Sequence, residues 1–265
     1  MPKLTTAAES KSHSTHMRVV MLTLDTHLSS AANRSAARLA QKMPGLELRL
    51  HAASEYRVSD DALQKCLHDI QRADMVIATM LFMEDHFLPV LEALQARRPH
   101  CDAMVCMASA TEVTQLTRFG QFDMSKPASG PMALLKKLRG GGGKDKPATG
   151  GAAQMKMLRR LPQLLRFIPG TAQDVRAYFV TMQYWLAGSE DNMANMVRYL
   201  VDRYASGPRK SLRGLKVDAP VEYPEVGVYH PRMASRLSAD KADLPSVATT
   251  GKRGTVGVLL MRSYL

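Results

Sequence analysis

Apolar and polar positions in the first half of the chain follow two periods in alternation. Residues 18–24 (RVVMLTL) form a short apolar run rich in β-formers and predict a strand. Ser29 or Ser30 can cap a helix running through Met43, with Ala32, Ala36, Leu39 and Ala40 on one face. Pro44-Gly45 stops it. Residues 46–51 alternate apolar with polar, as an edge strand does. Ser59 caps a second helix, in which Leu63, Cys66, Leu67 and Ile70 fall at helical spacing. Residues 74–81 (DMVIATML) are almost continuously apolar, as expected of a strand covered on both faces. A third helix spans 84–97, with Phe87, Val90, Leu91 and Leu94 inward; residues 102–107 form a fourth strand; Ser109 caps a helix through Phe119.

The pattern then changes. Residues 155–167 are basic and amphipathic but interrupted by Pro162, and residues 171–186 and 191–204 predict two longer helices. Tyr178, Phe179, Tyr184, Trp185, Tyr199 and Tyr204 recur there at helix-like spacing, which favours a packed core face over a cofactor cage. Gly207-Pro208 ends these helices. Residues 208–253 are rich in Pro, Ser and charge, with one short strand at 226–229, and residues 255–265 open a strong apolar strand. Strands and helices alternating at short spacing predict an α/β fold. It is an open parallel sheet with helices on both faces, flavodoxin-like, followed by a helical segment and the start of a further domain. The expected layout is a tail at 1–17, an α/β domain at 18–135, a basic glycine-rich linker at 136–154, helices at 155–206, and a linker with first strands at 207–265. A lone closing strand cannot bury both faces, so the chain reads as the amino-terminal part of a longer protein.

Composition narrows the class. Of the 265 residues, 45% are hydrophobic and 23% charged, which excludes wholesale disorder, collagen and coiled coil. No apolar run approaches the roughly 18 residues of a membrane span. Three cysteines make no disulfide framework and read as free thiols. The net charge is +12, and residues 136–166 hold nine Lys or Arg against the single acid Asp145. That stretch reads as a solvated loop, or as a basic surface for an acidic partner or an anionic membrane face. Nucleic acid is not expected, since aromatics are few there and no recognition motif is present.

In open α/β sheets ligands bind off the carboxyl ends of the strands. Here those ends are Asp25-Thr26-His27, residues 79–86 and residues 107–111, with the loop 126–131 beside them. Residues 25–30 (DTHLSS) resemble the D-x-H-x-x-G of cobalamin-binding domains, with Ser30 at the Gly position; Asp25 and His27 otherwise make polar turn contacts. Glu84, Asp85 and His86 open a helix, where carboxylates suit the dipole; the same trio has the residue types to bind a divalent cation. His13 and His16 form an H-x-x-H pair with no third ligand nearby. Lys126-Pro127 is shared with phosphoreceiver domains, but Met80 and Leu81 stand where the acceptor Asp belongs. Gly143-Lys144 is no P-loop, because Leu138 and Asp145 occupy the positions of a glycine and a hydroxyl residue.

Several runs together resemble the amino-terminal region of the large H subunit of magnesium chelatases. They are residues 19–24, 79–86 (TMLFMEDH), 89–94, 101–104, 122–138 (FDMSKPASGPMALLKKL) and 256–263 (VGVLLMRS). Cobaltochelatase large subunits are the nearest relatives of that family, and a stand-alone cobalamin or tetrapyrrole module is the other alternative. The resemblance implies a subunit that binds protoporphyrin IX and on which Mg²⁺ is inserted, in chlorophyll or bacteriochlorophyll synthesis. ATP would be hydrolysed by partner AAA+ motor subunits. A cytoplasmic location is expected, the free thiols fitting a reducing compartment, with peripheral membrane contact through the basic stretch as an addition, and the isolated fragment is expected to be without activity. No catalytic residue is carried over. Glu84, Asp85, His86, Asp25 and His27 stand as substrate-binding candidates on residue type alone.

Overall fold

A computed structural model describes residues 15–24, 26, 29–127, 160–224, 226–233 and 237–245. Residues 1–14 of the tail expected at 1–17, the linker at 136–154 and the closing strand at 255–265 lie outside the described residues, as do Asp25 and His27; the tail's last residue, Met17, instead begins the first strand. Four parallel strands form the centre: β1 (Met17–Thr23), β2 (Leu46–Ala52), β3 (Met75–Thr79) and β4 (Ala103–Met107). Their order is β2-β1-β3-β4, and β2 is the edge strand that its alternation predicts. An antiparallel pair, β5 (Arg118–Phe119) and β6 (Phe122–Asp123), extends the sheet beyond β4. The connecting helices are α1 (Ser29–Lys42), α2 (Ala53–Tyr56), α3 (Asp60–Arg72), α4 (Glu84–Arg97) and α5 (Thr111–Thr114). Ser59 caps α3 as expected, its hydroxyl accepting from the Ala62 N–H.

The period of two along each strand sends alternate residues to opposite layers. Val20, Leu22, Val76, Ala78, Met104 and Cys106 face α3 and α4, where Cys66, Ile70, Phe87, Val90 and Leu94 are buried. Val19, Met21, Met75, Ile77, Val105 and Met107 face the other way. On that side lie α1 and a hairpin of two long helices, α6 (Thr171–Ala187) and α7 (Glu190–Tyr204). The helices expected within 155–206 therefore pack on the sheet and share its core. Tyr178, Tyr184, Trp185 and Tyr204 are buried in that core, as their spacing predicts. The rings of Phe119 and Tyr204 meet edge to face at 4.9 Å.

The helix expected from Ser109 to Phe119 is a single turn, α5, and the chain then turns into β5 and β6. Thr117 explains the break. Its hydroxyl lies 3.0 Å from both the N–H and the C=O of Cys106, accepting from one and donating to the other, which draws the chain back along β4. Ser109 does not cap α5. Its hydroxyl accepts from the Leu81 N–H and donates to the Met107 carbonyl, tying β3 to β4.

Polar contacts fix the hairpin in place. Arg34 and Arg38 of α1 pair with Glu190 at 2.8 and 3.1 Å, and the Ser35 hydroxyl donates to the Glu190 carbonyl. Asp174 accepts from the Gln121 N–H and from the Tyr204 hydroxyl, both at 2.8 Å. This holds the β5–β6 turn against α6. Gly120 in that turn has φ +54°, and a Cβ there would lie 2.5 Å from an Asp174 carboxylate oxygen. Gly120→Ala combines backbone strain with a clash and is expected to cost about 1–3 kcal/mol. Urea denaturation of the chain checks this; an unchanged midpoint would refute the tight approach. After α7, residues 214–221 run as a strap. Asn192 exchanges two hydrogen bonds with the backbone of Val221, at 2.8 and 2.9 Å. A two-stranded ladder of β7 (Val228–Tyr229) and β8 (Leu237–Ser238) follows and coincides with the strand expected at 226–229.

Candidate functional site

The carboxyl edge of the sheet is the expected place for a ligand. The strand order reverses between β1 and β3, the place where open α/β sheets commonly bind ligands. Two non-glycine residues there have left-handed backbones: Met80 (φ 60°) directly after β3 and Ala108 (φ 43°) directly after β4. Such conformations cost about 1–3 kcal/mol each and cluster at functional sites. They are stitched together: Met80 N–H donates to Met107 O at 3.4 Å and Ala110 N–H to Leu81 O at 2.9 Å. Beneath them the Thr23 hydroxyl is buried with no hydrogen-bond partner among the described residues.

Glu84, Asp85 and His86 form the first turn of α4, a few residues after β3 ends at Thr79. They do not converge. Glu84 is exposed, and Asp85 turns to Arg57 at 3.1 Å. His86 points inward and is only 6% exposed. Its Nε2 lies 3.7 Å from Asp85, its carbonyl accepts from the buried Tyr56 hydroxyl, and its Nδ1 has no partner among the described residues. Burial pushes the Tyr56 hydroxyl well above its ordinary pKa, so it remains a donor. No group of three His, Cys, Asp or Glu among the described residues is placed to hold a metal ion. The trio is thus not a cation site by itself. What it offers is one buried imidazole nitrogen, His86 Nδ1, without a partner among the described residues, near in sequence to the exposed side chains of Phe82, Met83 and Leu88.

The loops at 107–111 and 126–131, expected to meet, do so in the part described. Ser109, Thr111, Lys126 and Pro127 border one cleft of about 470 Å³. Gln121, Asp123 and Thr171 complete its polar wall. Sequence reasoning missed these three. Asp123 is held by Arg98 and by Ser125, which keep its carboxyl below the usual range against the opposing effect of burial. Thr171 arrives from α6, about fifty residues along the chain, and donates to Gln121 Oε1. Nothing local in the sequence signals that meeting. The cysteines take no part. Burial pushes the thiols of Cys66 and Cys106 up to about 12 and that of Cys101 up to about 11, so none is a nucleophile near neutral pH.

An α/β sheet with a strained carboxyl edge and a helical hairpin closing its second face defines the class. A family profile described as "Domain of unknown function (DUF3479)" matches residues 18–179, more than half of the chain, and the chain belongs to that family. A second profile, "CobN/Magnesium Chelatase", matches residues 182–265. The particular relatives are more explicit. The magnesium-chelatase H subunit of Cereibacter sphaeroides is 49% identical over 247 residues, covering 93% of this chain and 20% of the relative. The protein of the same name from Rhodobacter capsulatus is 46% identical over 248 residues, with the same coverage. The chloroplastic magnesium-chelatase ChlH protein of Oryza sativa subsp. indica is 28% identical over 221 residues, covering 81% of this chain and 15% of that protein. The chain spans about a fifth of the length of the first two.

Proposed function

We propose that this chain is the part of a magnesium-chelatase large subunit that carries the α/β head, in a complex inserting Mg²⁺ into protoporphyrin IX. The observation that carries the reading is the 49% identity to the Cereibacter sphaeroides chelatase protein across 93% of the chain. The relatives' names favour magnesium over cobalt. The insertion itself needs a hard cation stripped of water and two pyrrole protons removed. ATP is hydrolysed by partner AAA+ subunits, and the complex works in the cytoplasm with a peripheral contact to a membrane. The described residues contain no helix long and apolar enough to cross one.

The test uses the full-length reading frame that contains this segment. Combined with motor subunits, ATP, Mg²⁺ and protoporphyrin IX, it is expected to form the magnesium porphyrin, followed by fluorescence. A protein that binds no porphyrin and forms no product sinks the reading. Within that assay Glu84→Gln with His86→Ala is expected to lower chelation about a hundredfold, the lower end for a lost proton-transfer group. Unchanged rate and porphyrin affinity in that variant would remove the α4 turn from the site while leaving the chelatase reading intact.

A further inference from the structure

Ahead of α6, a helical turn at 160–164 continues into the 3₁₀ turn Leu165–Phe167 and the corner Ile168-Pro169-Gly170. One side of this segment is anchored. Leu161 and Leu165 are buried. The Arg176 side chain donates to the Pro162 carbonyl at 3.0 Å, and the Gln173 amide donates to the carbonyls of Leu165 and Arg166 at 2.9 and 3.1 Å. The other side is bare. Phe167 is 84% exposed, Leu164 68% and Ile168 40%. Arg160 and Arg166 stand beside them, exposed and without an acidic partner among the described residues; the Arg166 guanidinium sits 5.7 Å from the Phe167 ring centroid. Three apolar side chains on a rigid, cationic corner have no structural purpose in the described fold.

We infer that this corner, Leu164, Phe167 and Ile168 flanked by Arg160 and Arg166, inserts into an anionic lipid surface. The inference deepens the peripheral membrane contact proposed above and rests on it; the chelatase reading does not enter. Shape selects lipid over protein. Phe167 and Leu164 are exposed over most of their surface and have few neighbours in the fold, so a rigid partner would cover them only through a matching pocket. A fluid interface closes around them without one, and burying apolar side chains next to headgroup-facing cations is how peripheral segments bind. Charge agrees: the sequence stretch that includes both arginines is strongly basic, and the chain carries +12. The anchored inner face means that little conformational entropy is lost on insertion.

Co-sedimentation of the 265-residue chain with phosphatidylcholine vesicles, with and without phosphatidylglycerol, tests the inference. Binding is expected to the mixed vesicles only, and to weaken with salt. Leu164→Ser with Phe167→Ser is expected to weaken it at least about tenfold, from the methylenes no longer buried. Arg160→Gln with Arg166→Gln is expected to do so about as strongly. All four positions are exposed, so each variant should keep the parent melting temperature. If the parent chain binds neither vesicle, the membrane contact itself fails and the inference with it. If the parent binds mixed vesicles and both variants bind equally well, the contact stands but this corner is not its location. Equal binding to neutral vesicles overturns the anionic part.

Discussion

A chain ending at residue 181 is expected not to fold cooperatively, although that end coincides with the junction between the two matched families. The first profile stops at 179 and the second starts at 182, yet both positions lie inside the single helix α6. Cutting there removes all of α7. With it go Met193, Met196, Val197, Leu200, Val201 and Tyr204, all buried against α1, α6 and the sheet. At about 1.5–3 kcal/mol for each large side chain, the loss is on the order of 10 kcal/mol, comparable to the whole stability of an ordinary domain. The truncation would also strip α1 of the partner that covers Ala31, Ala32 and Leu39. Circular dichroism with urea titration checks this. A sharp transition like that of the longer chain would show that the sheet stands without the hairpin.

The second large effect is expected from Asp102, between α4 and β4. Its side chain is 4% exposed and accepts from Arg209 at 2.8 and 2.9 Å and from the Ser206 N–H at 3.0 Å. These bonds clamp the end of α7 and the turn after it to the base of β4. Asp102→Ala leaves a half-buried guanidinium short of its main acceptor. Arg209 retains Asp74 at 3.2 Å, so the cost belongs at the low end of the range for broken buried pairs, about 3 kcal/mol. The pH dependence follows from the carboxyl. Burial pushes its pKa up, but the hydrogen bonds from Arg209 and Ser206 outweigh burial and hold it below the ordinary value. A depressed folded-state pKa means stability that is present above the unfolded value and lost as pH falls through the folded one. The parent should therefore lose stability on acidification more steeply than Asp102→Asn. Parallel acid limbs for the two proteins would show that this pair contributes nothing to acid sensitivity.

The candidate site was legible only in outline. Hydrophobic pattern and connection length placed residues 79–86 and 107–111 at the carboxyl ends of strands, and the structure has them at the ends of β3 and β4. They did not show that Asp85 turns outward to Arg57 while His86 turns inward under Tyr56. Adjacent residues in the first turn of a helix point about 100° apart, and only the neighbouring elements decide which is covered. The left-handed backbones of Met80 and Ala108 had no sequence signal at all, since neither residue type prefers that conformation. Their strain is sustained by the cross-strand bonds around Leu81 and Ser109.

Period and propensity by themselves determined the four parallel strands, α1, α3 and α4, the edge position of β2, and the burial of the aromatics on α6 and α7. Each of those depends on which face of an element is apolar, and that is written locally. Tertiary structure decided what covers the second face of the sheet. The sequence predicts a helix at 109–119, but Thr117 binds Cys106 and redirects the chain into β5 and β6. The apolar face of Met21, Ile77, Val105 and Met107 is closed by α1 and by a hairpin that begins at Thr171, far along the chain from the end of α5 at Thr114. Hydrophobic burial is non-directional and blind to separation along the chain. The distant hairpin and the turn after it also make polar pairs with the sheet domain: Glu190 with Arg34 and Arg38, Asp174 with the Gln121 N–H, and Arg209 with Asp102.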